Sequence, residues 1–177
     1  MSCRGTIVDV RLRAATSADL DFLGDMLLEA FNWDGEGRFT RDDLMAHDHA
    51  ARYLDGWCRD GDFGLVAVDG DALLGAIWAR VLPATAPGYG YVAADVPELS
   101  MGVRAARRGE GIGSALLAGC VEQAQDLGRR AVSLSVEDGN LAARTLYERN
   151  GFVVVGRNGN SDTMMLEFGQ GVVHATT

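Results

Sequence analysis

Residues 98–128 constrain the fold of this chain more than any other stretch of its sequence. They comprise a predicted strand, a basic and glycine-rich turn at 105–113, and a predicted helix. Because the glycines of the turn carry no side chain, bare backbone N–H groups can converge on a ligand where the helix begins and its dipole is positive. Arg104, Arg107 and Arg108 flank the turn and would repel one another without an anion. The stretch therefore predicts a site for a phosphate or pyrophosphate.

The spacing of the glycines excludes two common phosphate-binding loops. A Walker loop places a lysine after its last glycine, and this chain contains no lysine. The dinucleotide fingerprint G-x-G-x-x-G/A also fails, because the sixth residue is Ser114 when counted from Gly109 and Leu116 when counted from Gly111. The pattern that remains is R-x-x-G-x-G, formed by Arg108, Gly111 and Gly113.

Hydrophobic periodicity and turn residues divide the chain into alternating helices and strands. The sequence Asp69-Gly70-Asp71 predicts a β-hairpin, whereas the helical crossover around the glycine-rich turn requires a parallel strand pair. The order of elements is typical of an α/β protein with a mixed sheet. We expect strands at 8–13, 63–68, 73–82, 98–104, 131–136, 152–155 and 163–168, helices at 16–31, 40–54, 112–127 and 140–149, and a polar turn at 156–160.

A second motif lies one strand after the predicted anion site. Asn140 opens a short helix that carries A-x-x-L-Y and is followed by Gly151-Phe152. Together with the R-x-x-G-x-G loop, this motif closely resembles the GNAT superfamily of N-acetyltransferases, over roughly residues 8–168 and most specifically over 98–152. The resemblance implies an α/β fold (α+β by some schemes), with residues 1–177 forming a single GNAT-like domain. It also implies a mixed central sheet of six to seven strands, splayed around the cofactor and flanked by about four helices.

The resemblance further implies acetyl-CoA as the cofactor and gives roles to residues at matching positions. Met101 and Val103 resemble residues whose backbone pairs with the pantetheine arm, and Asn140 resembles one that contacts the same arm. Tyr147 stands where the family often places a hydroxyl beside the thioester sulfur, and Glu98 resembles a glutamate that some members use as a general base through water. The residues expected to contact the cofactor are Met101, Gly102, Val103, Arg108, Gly109, Glu110, Gly111, Ile112, Gly113, Ser114, Asn140 and Tyr147.

The implied reaction is acetyl transfer from acetyl-CoA to a primary amine of a small molecule, peptide or protein. No cysteine lies in either motif, which favours direct attack in a ternary complex. Two other functions stay open: a sensor or assembly module that binds acyl-CoA without turnover, and a domain that binds a free nucleotide or phosphate. Purely structural roles stay open as well, because Tyr147 could only pack, Asn140 could only cap its helix, and Glu98 could simply be exposed.

Charge and cysteine content restrict the partners and the compartment. The net charge of −9 is concentrated in residues 19–71, which hold fourteen acidic residues and four arginines. Nucleic acid would require a broad basic face and is an unfavourable partner, whereas the acidic segment mildly favours a polycationic amine. The three cysteines are too far apart for a disulfide framework or a zinc site, and there is no signal segment or long apolar run. We therefore expect a cytoplasmic protein without membrane contact, and the resemblance allows a homodimer.

Smaller features complete the expectations. His47 and His49 point to different faces of a helix, so no metal site is expected. Trp33 is expected in the core, but with Tyr89 and Tyr91 it could instead line the acceptor site. The chain ends, residues 1–6 and 169–177, are expected to be flexible.

Overall fold

Residues 10–169, which the computed structural model describes, form one seven-stranded sheet with helices on both faces. The strands are β1 Arg11–Ala14, β2 Phe63–Asp69, β3 Ala72–Arg80, β4 Glu98–Val103, β5 Ala131–Glu137, β6 Val153–Asn158 and β7 Ser161–Glu167. Their spatial order is β1-β2-β3-β4-β5-β7-β6, and each neighbouring pair is antiparallel except β4 and β5. The predicted mixed sheet of six to seven strands is therefore confirmed.

Five α-helices accompany the sheet within the described residues: α1 Leu20–Phe31, α2 Arg41–Ala46, α3 Asp48–Ala51, α4 Ile112–Asp126 and α5 Leu141–Arg149. The single helix predicted at 40–54 is wrong, because His47 is extended (φ −98°, ψ 111°) and separates α2 from α3. The cap predicted at Thr40 is confirmed, since its hydroxyl accepts the N–H of Asp43 at 3.2 Å. Within residues 10–169, no helix is long and apolar enough to span a membrane.

The last hairpin is longer than the sequence suggested. Residues 156–158 were expected in a turn, but they extend β6 and leave Gly159 and Asn160 as the turn. The extension is stabilised by Arg157, whose guanidinium donates to Asp138 at 3.0 Å and to Asp162 on β7 at 2.9 Å.

The predicted chain ends mostly fall outside the described residues. The first strand begins at Arg11 in the structure, whereas the start expected at Val8 lies beyond the described part. The same holds for the ends expected to be flexible, residues 1–6 and 169–177, with the exception of Gly169.

The sheet separates two hydrophobic cores. On one face, α4 and α5 pack on the central strands around residues such as Leu116, Leu134 and Met101. On the other face, α1 and the segment that follows α3 pack around residues such as Leu23 and Trp78. Because side chains alternate along a strand, odd-numbered residues of β4 face α4 and even-numbered ones face α1.

Gly102 lets α1 approach β4 more closely than a side chain would permit. A Cβ placed on Gly102 would overlap the backbone of Met26, including its carbonyl oxygen. The backbones of α1 and β4 are therefore in direct contact at this point. This contact fixes α1 beside the strand that borders the site described below.

Candidate functional site

The feature that organises the site is a gap between β4 and β5. These two strands form a parallel pair that is in register only where Glu98 stands opposite Ser133, and they separate beyond that point. The splayed sheet that the resemblance implied is therefore present. It leaves two strand edges facing each other without being paired.

The backbone of β4 directs hydrogen-bonding groups into this gap. The N–H of Arg104 donates to the carbonyl of Leu74 on β3 at 2.9 Å. Since the polar groups of successive residues alternate between the two edges of a strand, the N–H and C=O groups of Met101 and Val103 point the other way. The backbone N–H and C=O groups of both residues can therefore form hydrogen bonds with an extended ligand lying in the gap.

The glycine-rich turn lies where β4 ends and α4 begins. Gly109 and Gly111 have φ values of 81° and 82°, a left-handed conformation that glycine adopts without strain. A Cβ on either residue would meet no atom within 4 Å, so the space beside the turn is open. The first N–H groups of α4 lack intrahelical partners because they belong to the first turn of a helix. Open space, orphan donors and the positive end of the helix dipole together suit a phosphate group.

The arginines around the turn have protein partners, which corrects the expectation that they would repel one another without an anion. Arg107 pairs with Glu110 at 2.8 Å, and Arg108 pairs with Glu29 at 2.9 Å. Arg104 donates to a carbonyl of β3 at 2.9 Å. Backbone N–H groups, and not unpaired guanidinium groups, are therefore the donors that the turn holds ready for an anion.

A cleft of about 1170 Å³ joins the turn, the gap and the α1 side of the sheet. Every residue predicted to contact the cofactor lines it except Glu110, whose carboxylate is held by Arg107. Ile112 is 2% exposed and buries its side chain in the core, so it can offer only its backbone. Gly102 borders the cleft, but its polar groups face β3 and its Cα faces α1.

Two residues of the second motif border the cleft from α5. Asn140 caps α5, since its Oδ1 accepts the N–H of Ala143 at 3.2 Å, and its amide nitrogen remains available to a ligand. Tyr147 is 8% exposed, and its ring lies 5.8 Å from that of Phe152. Burial raises the pKa of Tyr147 to about 12, so its hydroxyl stays protonated at neutral pH.

Glu98 is 3% exposed, so it is not the exposed acidic residue that commonly begins a strand. Its Oε1 accepts hydrogen bonds from the Tyr53 hydroxyl and, at 2.7 Å, from the N–H of Gly90. Its Oε2 has no hydrogen-bond partner among residues 10–169. Burial raises the pKa of Glu98 to about 7, although both donors favour the ionised form. A carboxyl that titrates near neutral pH is suited to take up and return a proton.

The two candidate catalytic residues lie on opposite faces of the sheet. Glu98 belongs to the face covered by α1 and contacts Tyr53, a residue of that core. Tyr147 belongs to the core formed by α4 and α5. Both line the same cleft, so a group held in the gap would have the carboxyl on one side and the hydroxyl on the other.

Sequence reasoning missed a clamp at the end of β5. Glu137 accepts hydrogen bonds from the Trp33 indole at 2.8 Å and from two nitrogens of Arg38 at 2.8 and 2.9 Å. The hydrogen bonds from Arg38 are the main reason why the pKa of Glu137 lies below its usual range. The loop between α1 and α2 is thereby tied to β5 over the cleft. The partners are about a hundred residues apart, and no local pattern signals the contact.

The α1 side of the cleft has aromatic walls and few free charges. Trp33 and Tyr89 line it, whereas Tyr91 is not among the residues that do, and a contact of these residues with the acceptor stays a prediction. Of the acidic segment, only Glu29 reaches the cleft, and it is paired with Arg108. The cleft therefore gives no support to a preference for polycationic amines.

Comparison with known families adds to this geometry. Residues 25–152, more than two thirds of the chain, match the family described as "Acetyltransferase (GNAT) family". The chain belongs to the GNAT family of acetyltransferases. The matched segment contains both sequence motifs, so the resemblance stated from the sequence is confirmed.

Curated relatives of this GNAT chain are named acetyltransferases, and solved structures share its fold. The chain is 38% identical over 117 residues to a mycothiol acetyltransferase of Geodermatophilus obscurus. This alignment covers 66% of this chain and 35% of that protein. The chain thus spans about a third of the length of the curated relatives it matches. Among solved structures, the PaiA N-acetyltransferase of Thermoplasma acidophilum in complex with coenzyme A has a TM-score of 0.62 at 19% identity, over 90% of this chain and 99% of that one. The yncA protein of Salmonella typhimurium with acetyl-CoA has a TM-score of 0.63 at 20% identity, over 92% of this chain and 96% of that one.

Proposed function

We propose that this GNAT protein transfers an acetyl group from acetyl-CoA to a primary amine by direct attack in a ternary complex. The observation that carries the proposal is the splayed β4–β5 pair, whose unpaired edge leads to the orphan N–H groups of α4. This arrangement matches an extended polar arm that ends in a pyrophosphate. When bound, acetyl-CoA supplies the activated acetyl group.

Each part of the cleft has a proposed role in holding the cofactor. The backbones of Met101 and Val103 pair with the pantetheine arm, as the next strand of a sheet would. The N–H groups of Gly109 and of residues 111–114 bind the pyrophosphate. The amide of Asn140 contacts the arm from the other side of the gap. Arg108 fastens α1 to the turn through Glu29 and so shapes the cradle.

Glu98 and Tyr147 are the proposed acid–base pair. An amine with a pKa near 10 is mostly protonated at neutral pH and cannot attack a carbonyl group until it loses a proton. Glu98 takes that proton through water, and its pKa of about 7 keeps a large fraction ionised. Tyr147 donates a hydrogen bond to the departing thiolate, whose parent thiol has a pKa of about 8.5, and the proton that the attacking nitrogen loses on becoming an amide neutralises that thiolate. An N–H of β4, near Val103, orients the carbonyl oxygen.

The proposed acceptor is a small molecule or peptide with a single primary amine. It would enter from the α1 side, where Glu98 is the carboxyl without an arginine partner among the described lining residues. The names of the curated relatives, mycothiol acetyltransferases, support a small molecule.

The cysteines support direct transfer and a cytoplasmic location. Cys120 is fully buried, and burial raises the pKa of its thiol to about 12. Cys58 is exposed and does not line the cleft. Neither thiol is placed to carry the acetyl group, and both are free, as proteins of a reducing compartment usually keep them.

A thermal shift with acetyl-CoA, coenzyme A and ATP, combined with a thiol-release assay over a panel of amines, tests the proposal. At 100 times its dissociation constant, a ligand stabilises a fold by about 2.7 kcal/mol, which raises Tm by about 5–10 °C for a chain of this size. We expect this shift with both forms of coenzyme A, little or none with ATP, and thiol release with one class of amine. No shift with either form of coenzyme A would refute the proposed cofactor.

Two glycines at opposite ends of α4 provide a matched control. Gly111 and Gly128 both have positive φ, 82° and 68°, and a Cβ on either would meet no atom within 4 Å. Alanine at either position strains the backbone by a similar amount, about 1 kcal/mol. Only Gly111→Ala would place a methyl group in the phosphate cradle. We therefore expect it alone to lose the stabilisation by acetyl-CoA.

Tyr147→Phe distinguishes the enzyme from a sensor that binds acyl-CoA without turnover. We expect thiol release to fall about 10²-fold or more, because the departing thiolate loses the hydrogen bond that stabilises it. The cofactor-induced Tm shift should persist, since the ring and its packing on Phe152 remain. The measurements are kcat and Tm with and without acetyl-CoA. Unchanged turnover would show that Tyr147 has no role in the reaction.

A further inference from the structure

The two oxygens of Glu98 lie in different environments. Oε1 accepts two hydrogen bonds, one from the Tyr53 hydroxyl and one from the N–H of Gly90 at 2.7 Å. Oε2 is buried and has no partner in the part of the chain that the structure describes. Oε2 packs against Gly88, where an added Cβ would lie 2.1 Å from it. The carboxyl is thus held through Oε1, and its rotation is fixed by the two donors to that oxygen.

The hydroxyl of Tyr53 has a defined orientation. It accepts a hydrogen bond from the N–H of Tyr89 at 2.8 Å. Because an N–H can only donate, a lone pair of the hydroxyl is occupied there, and its single proton is left for Oε1 of Glu98. The residue is itself held in place: its carbonyl accepts the indole N–H of Trp78 at 2.8 Å, and its ring stacks on that of Tyr89 at 6.3 Å.

Other charged groups near Glu98 are occupied elsewhere. Arg80 stands directly opposite Glu98 on β3, but its guanidinium binds Asp62 at 3.1 Å and the carbonyl of Arg52 at 2.9 Å. Arg52 donates to the carbonyl of Pro87 at 2.7 Å.

The remaining neighbours do not contact the carboxyl. The ring of His49 lies 5.7 Å from the ring of Tyr89. Tyr89 in turn stacks on Tyr53, so His49 approaches Glu98 only through these two tyrosines. Ser133, across the parallel register, has a buried hydroxyl without a partner in the described chain and carries no charge. Tyr53 is therefore the one side chain that donates to Glu98 within residues 10–169.

We propose that Tyr53 is a positioning residue for the reaction: by donating to Oε1 it favours the ionised form of Glu98 and fixes the rotation of the carboxyl that receives the proton of the acceptor amine. The inference rests on the proposed function, because it gives Glu98 the role of general base. In the step itself, an N–H bond of the ammonium group breaks, its proton passes through water to the carboxylate of Glu98, and the electron pair stays on nitrogen to form a bond with the acetyl carbon. The C–S bond of the thioester then breaks with its electron pair on sulfur, and the second proton that nitrogen loses neutralises the thiolate of coenzyme A. Glu98 becomes a neutral acid and later returns the proton to solvent.

The direction of the effect follows from which form of Glu98 accepts the hydrogen bond. A hydroxyl that donates to a carboxylate stabilises the ionised form and so lowers the pKa of Glu98. Removing the hydroxyl therefore raises the pKa of Glu98 further above its ordinary value of 4.5. The base is then protonated, and inactive, over a wider pH range. A purely structural role for Tyr53 would lower activity equally at every pH.

Tyr53→Phe tests the inference through the pH dependence of kcat/KM. Hydrogen bonds to charged groups contribute about 1.5–3 kcal/mol, so we expect the acid limb to move up by about 1–2 pH units. The loss should be about 10–100-fold at pH 6 and much smaller at pH 9. Tyr91→Phe is the matched control, because it removes a tyrosine hydroxyl from the same loop between β3 and β4, and Tyr91 does not line the cleft. Its acid limb should coincide with that of the unmodified protein.

Two further measurements keep the inference testable if Tyr53→Phe folds poorly or no acceptor is found. Difluorotyrosine at position 53 has a more acidic hydroxyl that donates more strongly, so it should move the acid limb in the opposite direction. In the protein without ligands, carbon-13 NMR of the glutamate carboxyls, with Glu98→Gln to assign the signal, follows the ionisation of Glu98 directly. An acid limb or a carboxyl titration that Tyr53→Phe leaves in place would overturn the inference. Absence of acetyl transfer by the unmodified protein would instead refute the proposed function and leave the NMR result to stand by itself.

Discussion

Replacing Glu98 with glutamine is expected to reduce kcat/KM by about 10²–10⁴ at pH 8, the usual range for removing a general base. Glutamine keeps the size of the side chain and can still accept the hydrogen bonds of Tyr53 and Gly90 at its carbonyl oxygen. It cannot accept a proton at neutral pH. In the proposed binding mode the cofactor arm lies along the backbone of β4, so the Tm shift with acetyl-CoA should remain.

The same substitution should also change how stability depends on pH. The carboxyl of Glu98 ionises at about 7 in the folded protein and at about 4.5 in an unfolded chain. The unfolded state therefore loses its proton first as pH rises, and the free energy of unfolding falls between these two values, by up to about 3 kcal/mol above pH 7. In Glu98→Gln this decrease disappears, so the difference in Tm between pH 5 and pH 8 should shrink.

Glu122→Gln is the control for both measurements, because Glu122 is exposed on α4 and does not line the cleft. Its kcat/KM and the pH dependence of its Tm should equal those of the unmodified protein. If Glu98→Gln retained full activity, the general base would have to be sought elsewhere. If it left the pH dependence of Tm unchanged, Glu98 would not titrate near 7.

Replacing Gly102 with alanine is expected to lower the free energy of unfolding by about 3 kcal/mol, the upper end of the usual range for overpacking. The added methyl group would overlap backbone atoms of Met26, and backbone cannot turn aside as a flexible side chain can. α1 would have to move away from β4. Urea denaturation followed by tryptophan fluorescence measures the effect, and Tm should fall by about 6–12 °C.

Gly113→Ala shows what an added methyl group does without such an overlap. Its Cβ would approach the nearest atom, on Leu146, at 3.6 Å, an ordinary contact distance, and it lies in the first turn of α4, where alanine is the better helix former. Its stability should equal or slightly exceed that of the unmodified protein. A Gly102→Ala protein as stable as Gly113→Ala would mean that α1 is not seated on β4 as described.

The conformation of the glycine-rich turn could be predicted from the sequence because its determinants are local. The conformation of Gly109 and Gly111 and the start of α4 are set by neighbouring residues, and the same is true of Asn140 as a cap. The positions of the strands along the chain followed from short-range patterns for the same reason. Local patterns were not always sufficient, because the single helix expected at 40–54 and the turn expected at 156–160 both differ from the structure.

The environment of Glu98 could not be predicted, because it depends on contacts across the chain. Tyr53 is 45 residues away and follows the break at His47, which the pattern of apolar residues gave no reason to expect. The clamp of Glu137 joins segments still further apart. The separation of β4 from β5 likewise has no signal in either strand, since both alternate as paired strands do.

The gap between β4 and β5 has a consequence for the order of events in turnover. In the proposed binding mode, the arm of the cofactor completes this unpaired edge in the interior of the sheet and acts as an eighth strand. Acetyl-CoA and coenzyme A carry the same arm, and exchanging one acetyl group for a proton leaves that strand in place. The sheet thus remains whole throughout the chemistry, and the step that must break its hydrogen bonds is the departure of coenzyme A. Release of coenzyme A breaks the hydrogen bonds that complete the sheet, and we expect this step to limit the rate of the cycle.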